Sequence, residues 1–383
     1  MTRFRARAIG LTIGSLPPGP HNALTDVAGV WVGHTTLIAG EGPLRPGRGP
    51  VRTGVTAIRP HPGDLFREKV PACVHRLNGF GEVTNSEMVR ETGVLEAPIV
   101  LTGTSSVARV AEAVQEWCFA RDPELGVTLW TPAVVVAECS DQYLHDMRGK
   151  HIQPEHVFAA LDGAAGGAVA EGGVGAGTGM SCFEFKGGIG TSSRVIPAAA
   201  GGWTVGALVL SNFGRRAHLR MDGVPVGEAL RDWQPAPPPV PEDHGSSIII
   251  VLATDAPLDA RQLERLSVRA GAGLARTGGL LSTTSGDFVI AFSTAERVPH
   301  APPAGAPVWR RHVVAEATAP GQPATINLLF QAAAEAAEEA ILNVLFAAET
   351  LAGRDGHTLP ALPLAETVAV LRRYGRDARW PGE

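Results

Sequence analysis

The chain has 383 residues, with 33 Lys and Arg against 38 Asp and Glu, a formal net charge of −5 and a pI near 6.2. That balance offers no electrostatic case for binding nucleic acid. With 44% hydrophobic and 19% charged residues, the composition supplies ample core and no signature of disorder. The length allows two ordinary domains or one large α/β domain.

The first residues, MTRFRARAIGLTIGSLPPGP, begin like a secretory signal because of Arg3, Arg5 and Arg7. Their apolar part, AIGLTIG, is broken by glycines and ended by Pro17-Pro18, at the lower limit for such a segment. No run approaches the roughly 20 apolar residues of a membrane span. A soluble, cytoplasmic protein without a membrane partner is expected. From Val30 to Val136, short β-rich runs such as GVTAIRP, APIVLTG and TPAVVVAEC are bounded by Gly, Pro and Asn, as strands with turns should be. Between them Ser105–Asp122 has helical apolar spacing behind a Ser cap. Pro154–Gly173 predicts a weaker helix, diluted by glycine.

Glu171–Arg194 is glycine-rich without being low-complexity, and its GVGAGTGM stretch predicts tight backbone turns near a site. WTVGALVLSNFG then reads as a buried strand ending at Asn212. Beyond a Pro-rich join, SIIIVLAT predicts a strand, DARQLERLSVRAGAGLARTGG a helix and SGDFVIAFST another strand. ATINLLFQAAAEAAEEAILNVLFAAET predicts a long, strongly amphipathic, core-facing helix, and LAETVAVLRRYG a short last one. Strands and helices alternate throughout with no internal repeat. One layered α/β domain over residues 1–383, interrupted by a loop, is expected.

HExxH, GxSxG, Walker and EF-hand motifs are all absent. The twelve histidines show no ligand spacing, so no metal is expected. GVGAGTGM has the look of a phosphate loop, but no Lys-Ser/Thr follows and the spacing is not GxGxxG, so no nucleotide cofactor is expected either. Cys73, Cys118, Cys139 and Cys182 are scattered and read as buried free thiols in a reducing compartment.

Gly245-Ser246-Ser247-Ile248 sets two hydroxyls at the mouth of a strand that should be deeply buried. One reading is a linker whose serines form a turn. The other is an N-terminal nucleophile released by backbone cleavage. The hydroxyl attacks the preceding carbonyl, the acyl group shifts from nitrogen to oxygen, and water frees an α-amine able to act as a base near neutral pH. Asn212 either forms a turn before Phe-Gly or donates to an oxyanion. Ser285 and Asp287, two apart at the start of a strand, either share one side for proton relay or form a hairpin turn. Tyr143 is one of only two tyrosines and follows AVVVAECSDQ. Glu138 ends an apolar run, where a carboxylate needs a partner: a structural Arg or the ammonium of a substrate.

Together these residues resemble the DmpA-type self-processing aminopeptidases, the S58 or P1 family. GPHNALTDVAGVWVGHTT, GPVRTGVTAIRPH, LNGFGE, PIVLTGTSSV, GAGTGMSCFEFKGGIGTSSR, VGALVLSNFG and SIIIVLATDAP carry the resemblance, in that order, over nearly the whole chain. It implies a four-layered αββα sandwich similar to, but wired differently from, the Ntn hydrolases. It implies a precursor that cuts itself into 1–246 and 247–383, with 233–246 an exposed linker. The family's nucleophile falls on Ser247, its activating Ser-Gly-acid element on Ser285 and Asp287, its oxyanion donor on Asn212 and its active-site Tyr on Tyr143. Glu138 matches as an anchor for the substrate's amino group. Ser246 stands where relatives have Gly or Asn, which makes it the alternative new terminus; the spacing to ATDAP and to Ser285 favours Ser247. Substrates implied are small peptides or amino-acid amides and esters, with no cofactor, and the heterodimers are expected to form homo-oligomers, commonly tetramers. The rivals are an acyltransferase of the ornithine acetyltransferase type, whose new terminus is Thr, and a non-catalytic protein that holds a small anion.

Overall fold

The computed structural model describes residues 3–234, 246–301, 306, 308, 310–317 and 324–380. Most of the Pro-rich join, 235–245, therefore lies outside the described residues. The strands are β1 (Trp31–Ala39), β2 (Val51–Arg59), β3 (Glu68–Gly79), β4 (Val94–Leu95), β5 (Ile99–Gly103) and β6 (Val135–Cys139). There follow β7 (Ser181–Cys182), β8 (Phe185–Lys186), β9 (Gly188–Val195), β10 (Thr204–Asn212), β11 (Ser246–Thr254), β12 (Ser285–Ser293) and β13 (Val298–Pro299). The helices are α1 (Ser86–Thr92), α2 (Val107–Phe119), α3 (Pro154–Asp162), α4 (Val226–Ala229), α5 (Ala260–Arg276), α6 (Thr325–Ala347) and α7 (Leu364–Arg373).

Two sheets form the middle of the molecule. One has the order β1-β2-β5-β6, the other β13-β3-β12-β11-β10-β9, with β4 beside β3. The helices α2 and α3 cover the outer face of the first sheet and α5 and α6 that of the second. This is the expected αββα order, and three apolar clusters fill its three interfaces. Strand β11 shows why. Ile248, Ile250 and Leu252 pack in the cluster with α5 and α6, while Ile249, Val251 and Ala253 pack in the cluster between the sheets. A strand buried on both faces needs an uninterrupted β-branched run, not alternation.

Two expectations need correction. The helix predicted to Gly173 stops at Asp162, because Gly163 opens a run of glycines with little helical propensity. The tight turns expected in GVGAGTGM are there, as a 3₁₀ turn over Gly175–Gly179; beyond them Gly188–Val195 is a strand buried along nearly its whole length, pairing with β10, for which the sequence offered no expectation. Helix α6 is buried from Ala332 to Phe346 on all sides, so it is not amphipathic in place. Its acidic residues are sunk with it. Glu335 and Glu339 pair with the fully buried Arg194, Arg7 also meets Glu339, and Glu338 meets Arg276. Cationic partners such as these offset the cost of burying the carboxylates. All four cysteines are buried free thiols. Among the described residues no helix is long and apolar enough to cross a membrane.

Candidate active site

The residues marked in the sequence converge because of strand register. Strand β11 runs parallel to β12 and antiparallel to β10, so two strand starts and one strand end meet at the same edge of the sheet. Ser247 lies opposite Asn212 on one side and Gly286 on the other, and Ser246 lies opposite Ser285. Asn212 and Ser285, 35 and 38 positions from Ser247 in the chain, thereby flank the Ser246-Ser247 pair from the two adjacent strands, through Asn212↔Ser247 and Ser246↔Ser285.

The Ser247 hydroxyl donates to the carbonyl oxygen of Ser246 at 2.6 Å and accepts the Gly286 N–H at 3.3 Å. It therefore lies across the peptide bond that joins it to Ser246. Gly286 is required here by close approach. A Cβ on it would come within 2.7 Å of the Phe80 carbonyl oxygen and 2.8 Å of the Gly81 Cα. The loop it touches, from the LNGFGE motif, is tied to β12 by Asn78, whose Nδ2 donates to the carbonyls of Ser282 and Ser285 at 2.7 and 2.6 Å. Opposite Asp287 the pairing of β12 with β3 shifts by one residue, a bulge of the kind found beside active sites.

Ser285 and Asp287 share one side of β12, as their spacing required. The Ser285 hydroxyl donates to Asp287 Oδ1 at 2.7 Å, and Oδ2 is buried without a hydrogen-bond partner among the described residues. Burial pushes the Asp287 pKa up to about 6, against the opposing hydrogen bonds from Ser285 and the Ile248 backbone. The consequence for stability has a definite sign. Below about pH 4 the carboxyl is protonated in the folded and unfolded chain alike. Between about 4 and about 6 the unfolded chain ionises first, so the native state loses stability as pH rises, and the loss is complete above about 6. Asp287→Asn is therefore expected to stabilise the protein by roughly 2 kcal/mol at pH 8 and by little at pH 3.5, read from denaturant unfolding at the two pH values. An equal effect at both would show that the carboxyl is not held un-ionised by burial.

Asn212 Oδ1 accepts the Ser181 N–H at 2.8 Å. That bond fixes which end of the amide is which and turns Nδ2 away from Ser181. Asn212 shares the parity of Leu208 and Leu210, and Ser247 that of Ile249 and Val251; all four apolar residues face the space between the sheets. The two polar side chains thus extend from the same face of the sheet.

A cavity of about 310 Å³ opens at this edge, lined by Ser246, Asn212, Ser285, Asp287 and Tyr143, with Phe213, Leu274, Leu280 and Leu281 as its apolar wall. Ser246, not Ser247, is exposed to it; Ser247 is 4% exposed. The Tyr143 ring stacks on His357 with centroids 4.5 Å apart, its hydroxyl is buried without a hydrogen-bond partner among the described residues, and burial raises its pKa.

Glu138 is placed apart from that lining. It accepts from the Glu82 N–H at 3.1 Å and from the Thr104 hydroxyl, and burial raises its pKa. Neither partner is the Arg of the structural alternative. The carboxylate lies directly behind Gly81, where a Cβ would stand 3.0 Å from both Glu138 Oε1 and the Gly286 Cα. Three contributors were not singled out for a role in the sequence: Asn78, Gly286 and Ser181. LNGFGE and GMSCFEFKG were the signals that contained two of them. Among the described residues no group of three or more His, Cys, Asp or Glu is placed to hold a metal ion.

Comparison with known proteins defines the class. A profile of Peptidase family S58 matches residues 22–359. A β-peptidyl aminopeptidase BapA of Sphingosinicella microcystinivorans is 44% identical, over 98% of this chain and 93% of that protein. A Burkholderia sp. β-aminopeptidase has a TM-score of 0.86 at 44% identity, covering 97% of this chain and 99% of its own. The L-aminopeptidase D-Ala-esterase/amidase of Ochrobactrum anthropi, described as a prototype for the serine aminopeptidases and a variant of the Ntn hydrolase fold, has a TM-score of 0.86 at 40% identity, over 98% and 99% of the two chains. The two sheets between helix layers are thus those of an Ntn-type hydrolase. The chain belongs to peptidase family S58, as its motifs implied.

Proposed function

We propose that this S58 enzyme is a serine aminopeptidase made as a precursor, which cleaves itself before Ser247 and then uses Ser247 as nucleophile. The observation that carries the reading is that Ser247 is covered while Ser246 lines the cavity. Removal of the chain on the N-terminal side of Ser247 would bare both its hydroxyl and its new α-amine to a substrate. Attack on the Ser246 carbonyl, beside which the hydroxyl already lies, gives that outcome: the C–N bond breaks, an ester forms to Ser247 Oγ, and water hydrolyses the ester. Cleavage one residue earlier would leave Ser246 as the terminus, opposite Ser285 rather than Asn212, so Ser247 is favoured.

In turnover, Ser247 Oγ attacks the carbonyl of the substrate's first residue. Its α-amine, with an ordinary pKa near 7.7, or the Ser285 hydroxyl backed by Asp287, takes the proton. Asn212 Nδ2 donates to the oxyanion. The leaving amine departs with a proton, and water or another amine resolves the acyl-enzyme. Tyr143, at the cavity wall, supplies a further hydroxyl to the reacting groups. Glu138 is the buried carboxylate behind the Phe80–Gly81 turn that would hold the substrate's ammonium, an interaction that would also bring its raised pKa down. No metal or organic cofactor enters this scheme.

The fragments would not separate. Strands β11 and β12 of residues 247–383 lie between β10 and β3 of residues 1–246 in one sheet, so cleavage leaves an intertwined heterodimer. By the family resemblance such heterodimers assemble further, commonly into tetramers. Four buried free thiols agree with a reducing, cytoplasmic setting. Small peptides, amides and esters of α- or β-amino acids are the substrate class, given the names of the relatives above. The test is release of p-nitroaniline from β-alanyl and L-alanyl p-nitroanilides by purified protein in EDTA. Hydrolysis of either supports the reading. Turnover of neither by a fully processed protein would overturn it.

A further inference from the structure

Lys186 is one of three lysines in the chain and the scheme above gives it nothing to do. It is about 1% exposed. Among the described residues its ammonium meets no carboxylate; it donates to three backbone carbonyls, those of Gly177 at 2.9 Å, Met180 at 3.1 Å and Gly187 at 2.8 Å. Three acceptors around one nitrogen require three N–H groups, which the ammonium has and the neutral amine lacks. Burial pushes the Lys186 pKa down to about 7, and the three carbonyl dipoles work against that by stabilising the charge. The titratable neighbour is Cys182, a buried thiol whose own pKa burial raises, so it stays neutral and supplies no counter-charge.

The carbonyl of Met180 belongs to the same peptide group as the N–H of Ser181. In a trans peptide the C=O and N–H bonds point in opposite directions, so their dipoles add. One end of this peptide is held by the Lys186 ammonium, and the other donates to Asn212 Oδ1 at 2.8 Å. The amide of Asn212 continues the series, its Nδ2 turned from Ser181 on the strand that pairs with Ser247. The hydrogen-bonded series runs from the ammonium through peptide 180–181 to the Asn212 amide, on the strand that pairs with Ser247. Hydrogen bonds in such a series polarise one another, and a cation at the far end strengthens every donor along it.

We propose that Lys186 is a positioning and polarising residue for the reaction, acting through the Met180–Ser181 peptide to hold Asn212 and to strengthen its Nδ2–H as an oxyanion donor. The proposal rests on the reading of Asn212 given above. It accounts for the buried, unpaired cation and for the GMSCFEFKG motif together. The motif brings the peptide and the lysine side by side through the β7–β8 hairpin, in which Ser181 pairs with Lys186.

The test is a double-mutant cycle on the processed enzyme, measuring kcat and KM for one anilide with Lys186→Met, Asn212→Ala and the pair. Lys186→Met is expected to lower kcat about tenfold with KM little changed, less than the roughly 100- to 1,000-fold that follows outright loss of an oxyanion donor. In the Asn212→Ala background Lys186→Met is expected to have no further effect on kcat. Equal losses in both backgrounds would reduce Lys186 to a structural residue and overturn the inference while leaving Asn212 its role. Full activity of Asn212→Ala alone would instead overturn the reading of Asn212. Should Lys186→Met fail to fold, the wild-type protein decides. The side-chain ¹⁵N resonances of Lys186 and Asn212, the latter assigned by its loss in Asn212→Ala, are followed together over pH: the Asn212 amide is expected to shift with the midpoint at which Lys186 loses its proton. An Asn212 resonance that stays fixed while Lys186 titrates would contradict the relay.

Discussion

Ser247→Ala is expected to yield an intact chain of 39.9 kDa that folds normally and hydrolyses nothing. The substitution removes the one atom that can attack the Ser246 carbonyl, so neither the new terminus nor its α-amine is formed. Activity should fall by a factor on the order of 10⁶, the scale seen when a nucleophile is deleted. Stability should hardly change. The hydroxyl makes one short bond, to its own neighbour's carbonyl, and accepts a second at 3.3 Å from Gly286; losing two such neutral contacts costs about 1 kcal/mol. Denaturing gel electrophoresis and circular dichroism check both parts. A cleaved Ser247→Ala chain would show that the nucleophile lies elsewhere.

The second large effect separates donation from mere positioning at residue 212. Asn212→Asp keeps an oxygen to accept the Ser181 N–H and keeps the shape of the side chain. What it loses is the Nδ2–H donor, replaced by an acceptor facing the place where negative charge develops. A loss in kcat of about 100- to 1,000-fold is expected, with KM changed far less, since the ground-state carbonyl needs the donor less than the oxyanion does. Steady-state kinetics on the processed variant is the measurement. A variant that matches the wild type in kcat would confine Asn212 to holding the loop at Ser181.

Much of this was legible in the chain. The IIIVLA run announced a deeply buried strand because a short, β-branched apolar run bounded by turn residues fits one. Ser285 and Asp287 were readable as a pair because period two fixes their common side, and their 2.7 Å hydrogen bond follows. Register was not readable. That Asn212 faces Ser247, and that Gly286 rather than a side chain supplies the N–H to its hydroxyl, depends on how three strands align, which no local pattern states.

Glycine hid β9, since Gly188 and Gly190 look like turn formers. In place, a Cβ on Gly190 would come within 2.1 Å of the Ala340 carbonyl oxygen on α6, so this glycine marks close packing of strand on helix. The acidic residues of α6 suggested a wet face because their partners, Arg7 and Arg194, are distant in sequence. Lys186 was invisible for the same reason in reverse. A lysine between Phe and Gly-Gly reads as surface, and only the folded hairpin shows its three carbonyl partners.

The central claim is that the chain cuts itself before Ser247, and intact mass under denaturing conditions tests it most directly. The purified wild-type protein should give two fragments, with N-terminal sequencing of the C-terminal one beginning Ser-Ile-Ile-Ile. A single 39.9 kDa species in a protein that hydrolyses amino-acid anilides, or a fragment beginning Ser-Ser-Ile, would contradict it.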